Sequence, residues 1–214
     1  MKLLHVDVSP KGGKSNSRAL SRYFVERLQA QSPEVQVDYL DLDLHPVSHV
    51  TGEFAQATYT PEDQRTPRMK AVLADSDRLC EQLLNADALL FAMPMYNWSM
   101  PSAFKAYIDA IIRTNLTYHF DEQQNVIGNL TRQKALFITT RGASLQPGSP
   151  YAEMDALTPA LRAAFGFIGI QAPQFVNAEP LAFADQAARE AGLAQAYRDL
   201  DGVVAQWAGA VVTA

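Results

Sequence analysis

Short apolar stretches are interspersed with longer amphipathic segments along most of the chain. The apolar stretches, of which the second alternates apolar and polar positions, fall at residues 3–8, 36–42, 88–93, 134–139 and 174–178. Their length and their branched and aromatic residues are typical of β-strands. The amphipathic segments, whose period predicts helices, fall at residues 18–31, 67–84, 99–113, 154–168 and 185–207. Strands that alternate with helices predict an α/β fold with a parallel sheet covered on both faces.

The number of strands and the boundary residues refine this prediction. Five parallel strands favour the flavodoxin-like, doubly wound order 2-1-3-4-5 over a six-stranded dinucleotide fold, within one domain at residues 1–214. Thr66 and Pro67 predict a helix start with Thr66 as N-cap. Pro159 predicts a restart or kink in the helix at 154–168. Residues 45–65 predict a long irregular loop of the kind that serves a function or an interface.

The charge and hydropathy patterns argue against two classes of partner. The chain has a formal net charge of -5, and its lysines and arginines are scattered rather than clustered. We therefore expect neither a nucleic-acid-binding face nor a polybasic membrane patch. No run of about 18 apolar residues, the length needed to span a bilayer, occurs in the sequence. The first residues predict a strand rather than a signal peptide, because His5 and Asp7 interrupt them.

The number and setting of the cysteines indicate the redox state of the cellular compartment. Cys80 is the sole cysteine, so no internal disulfide can form. It lies in the apolar run LCEQLL, where a buried, reduced thiol is favoured over a reactive one. This usage fits a reducing cytosol, and we expect a cytoplasmic protein.

Three loops should meet at one edge of the predicted sheet. In doubly wound folds, ligands bind beyond the carboxyl ends of the strands, where the strand order reverses. The loops that follow the first, third and fourth strands lie at residues 9–17, 94–101 and 139–146. We therefore expect the ligand-binding residues to lie in these three loops.

The first loop, SPKGGKSNS at residues 9–17, has the composition of a phosphate-binding loop. It is not a Walker loop, because Val8 stands where the first glycine is needed, and G-x-G-x-x-G is also absent. Hydroxyl groups, backbone N–H groups and the positive end of the following helix dipole can nevertheless hold a phosphate without a metal. Its candidate ligands are Ser9, Ser15, Asn16 and Ser17. The alternative is an ordinary helix N-cap preceded by a surface turn.

The second loop, PMYNWSMP, places aromatic residues directly after a buried strand, where an ordinary turn would favour Gly, Asp or Ser. A flat heteroaromatic ligand needs apolar faces and a few polar groups at its edge. Tyr96 and Trp98 can supply the faces, with Asn97 and backbone N–H groups at the edge. The alternative is that these aromatics fill the core or a subunit interface.

Taken together, the loops resemble those of a known family, the FMN-dependent NADH-azoreductases, also described as NADH:quinone reductases, which have the flavodoxin-like fold. The resemblance rests on SPKGGKSNS, PMYNWSMPSAFKAYID, TTRGA and GFIGI, and it extends over essentially the whole chain. It implies that Ser9, Ser15, Asn16 and Ser17 hold the FMN phosphate. It further implies that the isoalloxazine ring lies among Met95, Tyr96, Asn97 and Trp98, with its pyrimidine side closed by Thr139, Thr140, Arg141 and Gly142.

The sequence departs from the family pattern at three positions. The family usually has phenylalanine where Trp98 stands, serine at Thr140 and a second glycine at Ala143. These departures bear on the shape of the pocket and the range of substrates rather than on flavin binding.

The resemblance also implies a reaction and an assembly. NADH or NADPH passes a hydride to flavin N5, and a quinone or an aromatic azo compound is then reduced in ping-pong order, so no catalytic side chain is required. The family forms homodimers with active sites at the interface. Candidate walls of the substrate site are Tyr118, His119, Phe120 and Phe165.

Other functions are weighed against this one. A flavodoxin-type carrier would bind FMN but pass single electrons between proteins, and a bare binding module would hold no flavin. A serine hydrolase is excluded by the lack of a G-x-S-x-G motif. His45 and His49 have the spacing of helical metal ligands, but Pro46 breaks the helix, so no metal site is expected.

Overall fold

The computed structural model describes residues 1–211, and the burial of side chains up to residue 209. The strands are β1 (Lys2–Asp7), β2 (Gln36–Asp41), β3 (Ala88–Pro94), β4 (Tyr118–Phe120), β5 (Val126–Gly128), β6 (Lys134–Thr140) and β7 (Gln174–Ala178). The α-helices are α1 (Asn16–Gln31), α2 (Gly52–Tyr59), α3 (Pro67–Asn85), α4 (Ser102–Ile111), α5 (Leu157–Phe167) and α6 (Gln186–Val211). Within the described range, none of the helices combines the length and apolarity that a bilayer crossing requires.

Five strands form one parallel sheet in the order β2-β1-β3-β6-β7. The remaining two, β4 and β5, form an antiparallel hairpin outside it. Without the hairpin, the sheet has the order 2-1-3-4-5, so the prediction is confirmed. The chain order reverses between β1 and β3, which places a crevice for a ligand at their carboxyl ends.

A hydrophobic layer lies on each face of the sheet. One layer packs β3 and β6 against α3, α4 and α5, and its centre is a group of aromatic rings at Phe91, Phe104, Tyr107, Phe137 and Phe165. The other packs α1 and α6 on the opposite face, where the rings of Phe24 and Trp207 meet edge to face at 5.3 Å. Successive residues of β3 enter opposite layers, which explains why this strand is apolar throughout.

Side chains accept hydrogen bonds from backbone N–H groups at the starts of two helices, α3 and α5. The hydroxyl of Thr66 accepts a hydrogen bond from the Met69 N–H at 3.3 Å, so the predicted N-cap is confirmed. Helix α5 begins at Leu157 rather than at residue 154, because the Asp155 carboxylate accepts the N–H groups of Leu157 and Thr158 at 3.0 and 2.9 Å. Pro159 therefore lies in the first turn, where its missing N–H costs little, so of the two predicted outcomes the restart is found and the kink is not.

Two elements were not predicted. The segment at 45–65, predicted to be irregular, contains α2, whose N-cap Thr51 accepts from the Phe54 N–H at 3.1 Å. The hairpin of β4 and β5 closes over Asp121, which accepts the N–H groups of Gln123 and Asn125 at 2.9 and 2.7 Å. Both elements are short and largely exposed, so their hydrophobic patterns are weak.

Cys80 lies buried between α3 and α4, as the sequence predicted. Its sulfur contacts the carbonyl oxygens of Ala110 and Ile111 at 3.9 and 3.6 Å. Burial raises the pKa of the thiol to about 12, so the group is neutral and unreactive at physiological pH.

Candidate functional site

The three candidate loops leave neighbouring strands at the same edge of the sheet. β1 pairs with β3, and β3 pairs with β6, all in parallel. Hydrogen bonds continue this pairing into the loops, from the Val8 N–H to the Ala92 carbonyl at 3.0 Å and from the Met95 N–H to the Thr140 carbonyl at 2.8 Å. The loops therefore lie side by side across the crevice.

The first loop forms a cradle at the N-terminus of α1, which we call the serine cradle and define as residues 9–17. Ser9, Ser15 and Ser17 are all buried there, and the hydroxyl oxygens of Ser15 and Ser17 lie 3.1 Å apart. Ser15 caps the helix by accepting the Arg18 N–H at 3.4 Å. The first turn leaves the N–H groups of Asn16 and Ser17 without an intrahelical acceptor, so they can bind an anion. The helix-cap interpretation is therefore confirmed, and it leaves these N–H groups free for the predicted phosphate.

A buried ion pair supports the serine cradle from below. The Arg18 side chain donates from Nε to the Ser9 carbonyl at 2.8 Å, and from Nη1 and Nη2 to the two carboxylate oxygens of Asp41 at 2.6 and 2.7 Å. These hydrogen bonds hold the pKa of Asp41 below its usual range. The sequence alone did not reveal this pair, because its partners are 23 residues apart.

Asp7 at the end of β1 extends the same cluster. Its carboxylate accepts hydrogen bonds from Ser21 at 2.9 Å and Tyr39 at 3.1 Å, and it lies 3.3 Å from Nε2 of His5. Burial raises the pKa of Asp7, but the hydrogen bonds from His5, Ser21 and Tyr39 outweigh it and leave the pKa lowered. Burial and the nearby Asp7 charge raise the pKa of Tyr39 to about 12. The cluster thus joins β1, β2 and α1 below the serine cradle.

The second loop turns sharply through residues 96–99. The N–H and carbonyl groups of Tyr96 and Ser99 bond to each other at 3.0 Å in both directions. Asn97 and Trp98 have φ values of +48° and +68°, the signature of a type I′ turn. Such a backbone is strained for a bulky residue, at a cost of about 1–3 kcal/mol. Neither central N–H takes part in the bonds that close the turn, so both are available to a ligand.

The third loop is held by backbone hydrogen bonds from the segment that follows β7. The Gly142 carbonyl accepts three N–H groups, from Leu181, Ala182 and Phe183, at 3.2, 2.9 and 2.9 Å. A Cβ atom on Gly142 would lie 3.3 Å from the Phe183 ring, closer than most such contacts, so a glycine fits this position well.

A cavity of about 400 Å³ opens between the second and third loops. It is lined by Met95, Tyr96, Asn97, Trp98, Gly142, Ala143, Leu145 and Phe183. The second-loop residues and Gly142 are those that the resemblance implied. Leu145 and Phe183 were missed, although an aromatic in the otherwise small and polar stretch after the last strand, PLAFAD, is a signal that could have shown Phe183.

The described residues fit FMN. The cavity is the size of a small-ligand pocket, it has aromatic and apolar walls, and N–H groups of the type I′ turn lie at its margin. The serine cradle follows β1, which is adjacent to the strand that carries the turn. A molecule with a flat ring at one end and a phosphate at the other is therefore complementary to the site.

Comparison with known proteins agrees with this geometry. The sequence pattern of the flavodoxin-like fold family matches residues 1–203. The chain belongs to this family. A similar protein, the FMN-dependent NADH:quinone oxidoreductase of Nostoc punctiforme, is 42% identical over 205 residues, covering 96% of this chain and 98% of that protein. The protein of the same name from Bordetella petrii is 36% identical over 96% of both chains.

Solved structures show the same flavodoxin-like fold at lower identity. An azoreductase from Bacillus anthracis Sterne superposes with a TM-score of 0.87 at 21% identity, covering 95% of this chain and 98% of that one. An FMN-dependent NADH-azoreductase from Bacillus anthracis Ames Ancestor, in complex with FMN, gives 0.85 at 22% identity over 97% and 99%. The fold and the family resemblance that the three loops indicated are thereby confirmed.

In this member of the flavodoxin-like family, the Trp98 ring forms one wall of the cavity and is itself supported. It stacks on the ring of Tyr151, with centroids 5.5 Å apart and an interplanar angle of 27°. The Trp98 carbonyl accepts the Ala156 N–H at 3.1 Å. The segment before α5 therefore braces the second loop, a contact that the sequence did not reveal.

Three residues implied by the resemblance belong to the scaffold of the site or to the core. Phe165 is fully buried among Phe91, Phe104 and Phe137, so it cannot form a wall of the substrate pocket. Arg141 is 3% exposed, and its guanidinium bonds to the hydroxyl groups of the buried Thr139 and the half-buried Thr158. Thr139 is fully buried too, and its hydroxyl group bonds to Asn177 rather than facing the cavity, whereas Thr140 is half-buried.

The other candidates lie away from the cavity of their own chain. Tyr118, His119 and Phe120 are on the β4–β5 hairpin, where His119 bonds to Asn129 at 2.7 Å and Phe120 is 49% exposed. His45 and His49 lie outside any helix. Among residues 1–211, no group of three His, Cys, Asp or Glu side chains is arranged to hold a metal ion.

Proposed function

We propose that this chain is an FMN-dependent oxidoreductase that uses NADH or NADPH to reduce quinones and to cleave aromatic azo compounds. The observation that carries the proposal is the combination of a buried serine cradle after β1 with an aromatic cavity after β3. The family membership and the names of the relatives support it.

The residues of the serine cradle bind the phosphate end. The hydroxyl groups of Ser9, Ser15 and Ser17 and the N–H groups of Asn16 and Ser17 serve as donors, and the positive end of the α1 dipole adds to their effect. The hydroxyl and N–H donors of the cradle suffice to hold a phosphate, so the proposal requires no metal there. Arg18 keeps the Ser9 backbone in place through its bond to the carbonyl.

The residues that line the cavity orient the isoalloxazine ring of FMN. Met95, Tyr96 and Trp98 provide apolar surface, while the N–H groups of the type I′ turn and of the third loop donate to polar atoms at the ring edge. FMN supplies the hydride chemistry when it is bound. Of the residues that line the cavity, Tyr96 alone is ionisable, which agrees with a reaction that needs no protein acid or base.

A titration with NADH tests this proposal against the carrier alternative. The FMN-loaded protein is titrated with NADH without oxygen, and the visible flavin band is followed. We expect the band to bleach at one equivalent of NADH and to recover when benzoquinone is added. A flavin that binds but stays oxidised would instead favour a one-electron carrier with a separate reductase.

Replacing Ser17 with alanine should weaken FMN binding by about 1–3 kcal/mol, because a buried phosphate oxygen would lose a hydrogen-bond donor. Titration monitored by flavin fluorescence measures this loss. Ser76→Ala is the matched control, since Ser76 is a buried helical serine whose hydroxyl bonds to the Ala110 carbonyl on the other face of the sheet. Unchanged FMN affinity in Ser17→Ala would refute the role of this hydroxyl.

We also propose a homodimer in which the β4–β5 hairpin of one protomer approaches the cavity of its partner. Phe120, Val126 and Ile127 are each at least 40% exposed on this hairpin, and the hairpin does not line the cavity of its own chain. Light scattering should give twice the chain mass of 23.6 kDa. A single domain over residues 1–214 and a cytoplasmic location remain predictions from the sequence.

A further inference from the structure

Glu179, directly after β7, is a buried carboxylate bonded to the third loop. It is 8% exposed. Its Oε2 accepts the Leu145 N–H at 3.3 Å, and its Oε1 accepts the side-chain amide of Gln146 at 2.5 Å. Leu145 lines the cavity, so this carboxylate holds the loop from behind its ligand-facing side.

The cation that accompanies Glu179 is Arg141. Nη1 of Arg141 lies 3.5 Å from Glu179 Oε2 and 3.2 Å from Asp155 Oδ2. Its other nitrogens donate to the hydroxyl groups of Thr139 at 3.0 Å and Thr158 at 2.7 Å. One buried guanidinium thus ties together the end of β6, the start of α5 and the end of β7.

The same network reaches the opposite wall of the cavity. Asp155, which Arg141 contacts, precedes Ala156, whose N–H donates to the Trp98 carbonyl at 3.1 Å. One cluster of ion pairs, formed by Arg141, Glu179 and Asp155, therefore positions both walls of the cavity, although none of these three residues lines it.

We propose that Glu179, acting with Arg141, is a positioning residue that fixes the third loop for binding of the flavin ring and not of the phosphate. This inference rests on the proposed function. A glutamine at position 179 is neutral, and its NH₂ group cannot accept a hydrogen bond from either Gln146 or Arg141. Arg141 would keep the carboxylate of Asp155 but lose that of Glu179, and the third loop would lose one of its two hydrogen bonds to residue 179.

The test compares two ligands that share the ring and differ in the phosphate. FMN and riboflavin are each titrated against wild-type protein, Glu179→Gln and Ser17→Ala, and flavin fluorescence gives Kd. We expect Glu179→Gln to weaken both ligands by about ten-fold, the usual effect of losing a hydrogen bond to a charged group, and to leave the ratio of the two Kd values unchanged. Ser17→Ala should weaken FMN alone and change that ratio.

Two further variants separate positioning from general damage to the fold. Gln146→Ala removes only the side-chain contact of an exposed residue, and it should weaken both ligands by a smaller factor of about three. Glu190→Gln removes the same charge from an exposed site on α6 and should change neither Kd.

The possible results distinguish the two proposals. Wild-type Kd values in both Glu179→Gln and Gln146→Ala, or a loss confined to FMN, would overturn the positioning role. If the wild-type protein bound neither flavin, the proposed function would fail first, and the inference would fail with it.

Discussion

Replacing Arg18 with methionine is expected to destabilise the folded protein by about 3–5 kcal/mol, the usual cost of removing one partner of a buried ion pair. Asp41 is 6% exposed and Asp7 is 4% exposed, so both carboxylates would be left in the interior without their cation. FMN should bind more weakly as well, because the Ser9 carbonyl loses its donor and the serine cradle loosens. Urea denaturation measures the first effect and flavin titration the second.

Two further variants show whether the loss of stability and flavin affinity comes from the buried ion pair. Arg22 is an exposed arginine of the same helix, and Arg22→Met should leave both stability and flavin affinity unchanged. Arg18→Lys keeps the charge but cannot contact both Asp41 oxygens in the same planar arrangement, so its loss should be intermediate. Exposed ion pairs contribute less than about 1 kcal/mol to the free energy of unfolding. A loss of that size in Arg18→Met would contradict the role of the buried pair.

The same cluster gives the protein a predictable response to acid. The pKa values of Asp7 and Asp41 are lowered in the folded state. Carboxylates of this kind contribute stability that is fully present above their unfolded pKa, about 3.9, and is lost as pH falls through the lower folded pKa. The acid branch of the wild-type stability curve should therefore be steeper than that of Arg18→Met.

Substituting Gly192 with alanine should destabilise the protein by about 3 kcal/mol, the upper range for overpacking. The new Cβ would lie 2.4 Å from the Glu179 carbonyl oxygen and 2.8 Å from its carbon, and these backbone atoms cannot swing aside. Helix α6 would have to withdraw from the segment that carries Glu179. FMN affinity should then fall together with stability, as thermal denaturation and flavin titration would show.

The same helix contains the matched control for this substitution. A Cβ on Gly202 would meet no atom within 4 Å. Gly202→Ala should therefore stabilise the protein by about 0.5–1 kcal/mol, because alanine is the better helix former. Equal effects of the two substitutions would show that α6 does not pack as closely against Glu179 as the structure indicates.

The sequence predicted those parts of the fold that depend on the hydrophobic pattern within a single segment. β7 was predicted at Gln174–Ala178 and is found there, and β3 was recognised because both of its faces are buried. The order of the sheet was predicted from the number of strands, because five alternating strands match the flavodoxin-like pattern. The short hairpin and α2 were not predicted, because few of their residues are buried.

The candidate site was predictable where it consists of backbone and loop residues. The serine cradle and the turn at 96–99 each lie within one continuous stretch. The ion clusters around Arg18 and Arg141 were missed because their partners are distant in sequence, as with Arg141 and Glu179. Phe165 was assigned to a pocket on the family resemblance, and a resemblance in sequence does not show whether an aromatic side chain faces the core or a cavity.

The burial of Cys80 has a consequence for a protein that handles electrophiles. Quinones arylate proteins because protein thiolates add to the quinone ring, and such arylation would inactivate an enzyme that binds quinones repeatedly. The sole thiol of this chain is 1% exposed, and its pKa of about 12 keeps it from ionising at neutral pH. The fold therefore withholds from its proposed substrates the one thiol that would add to them.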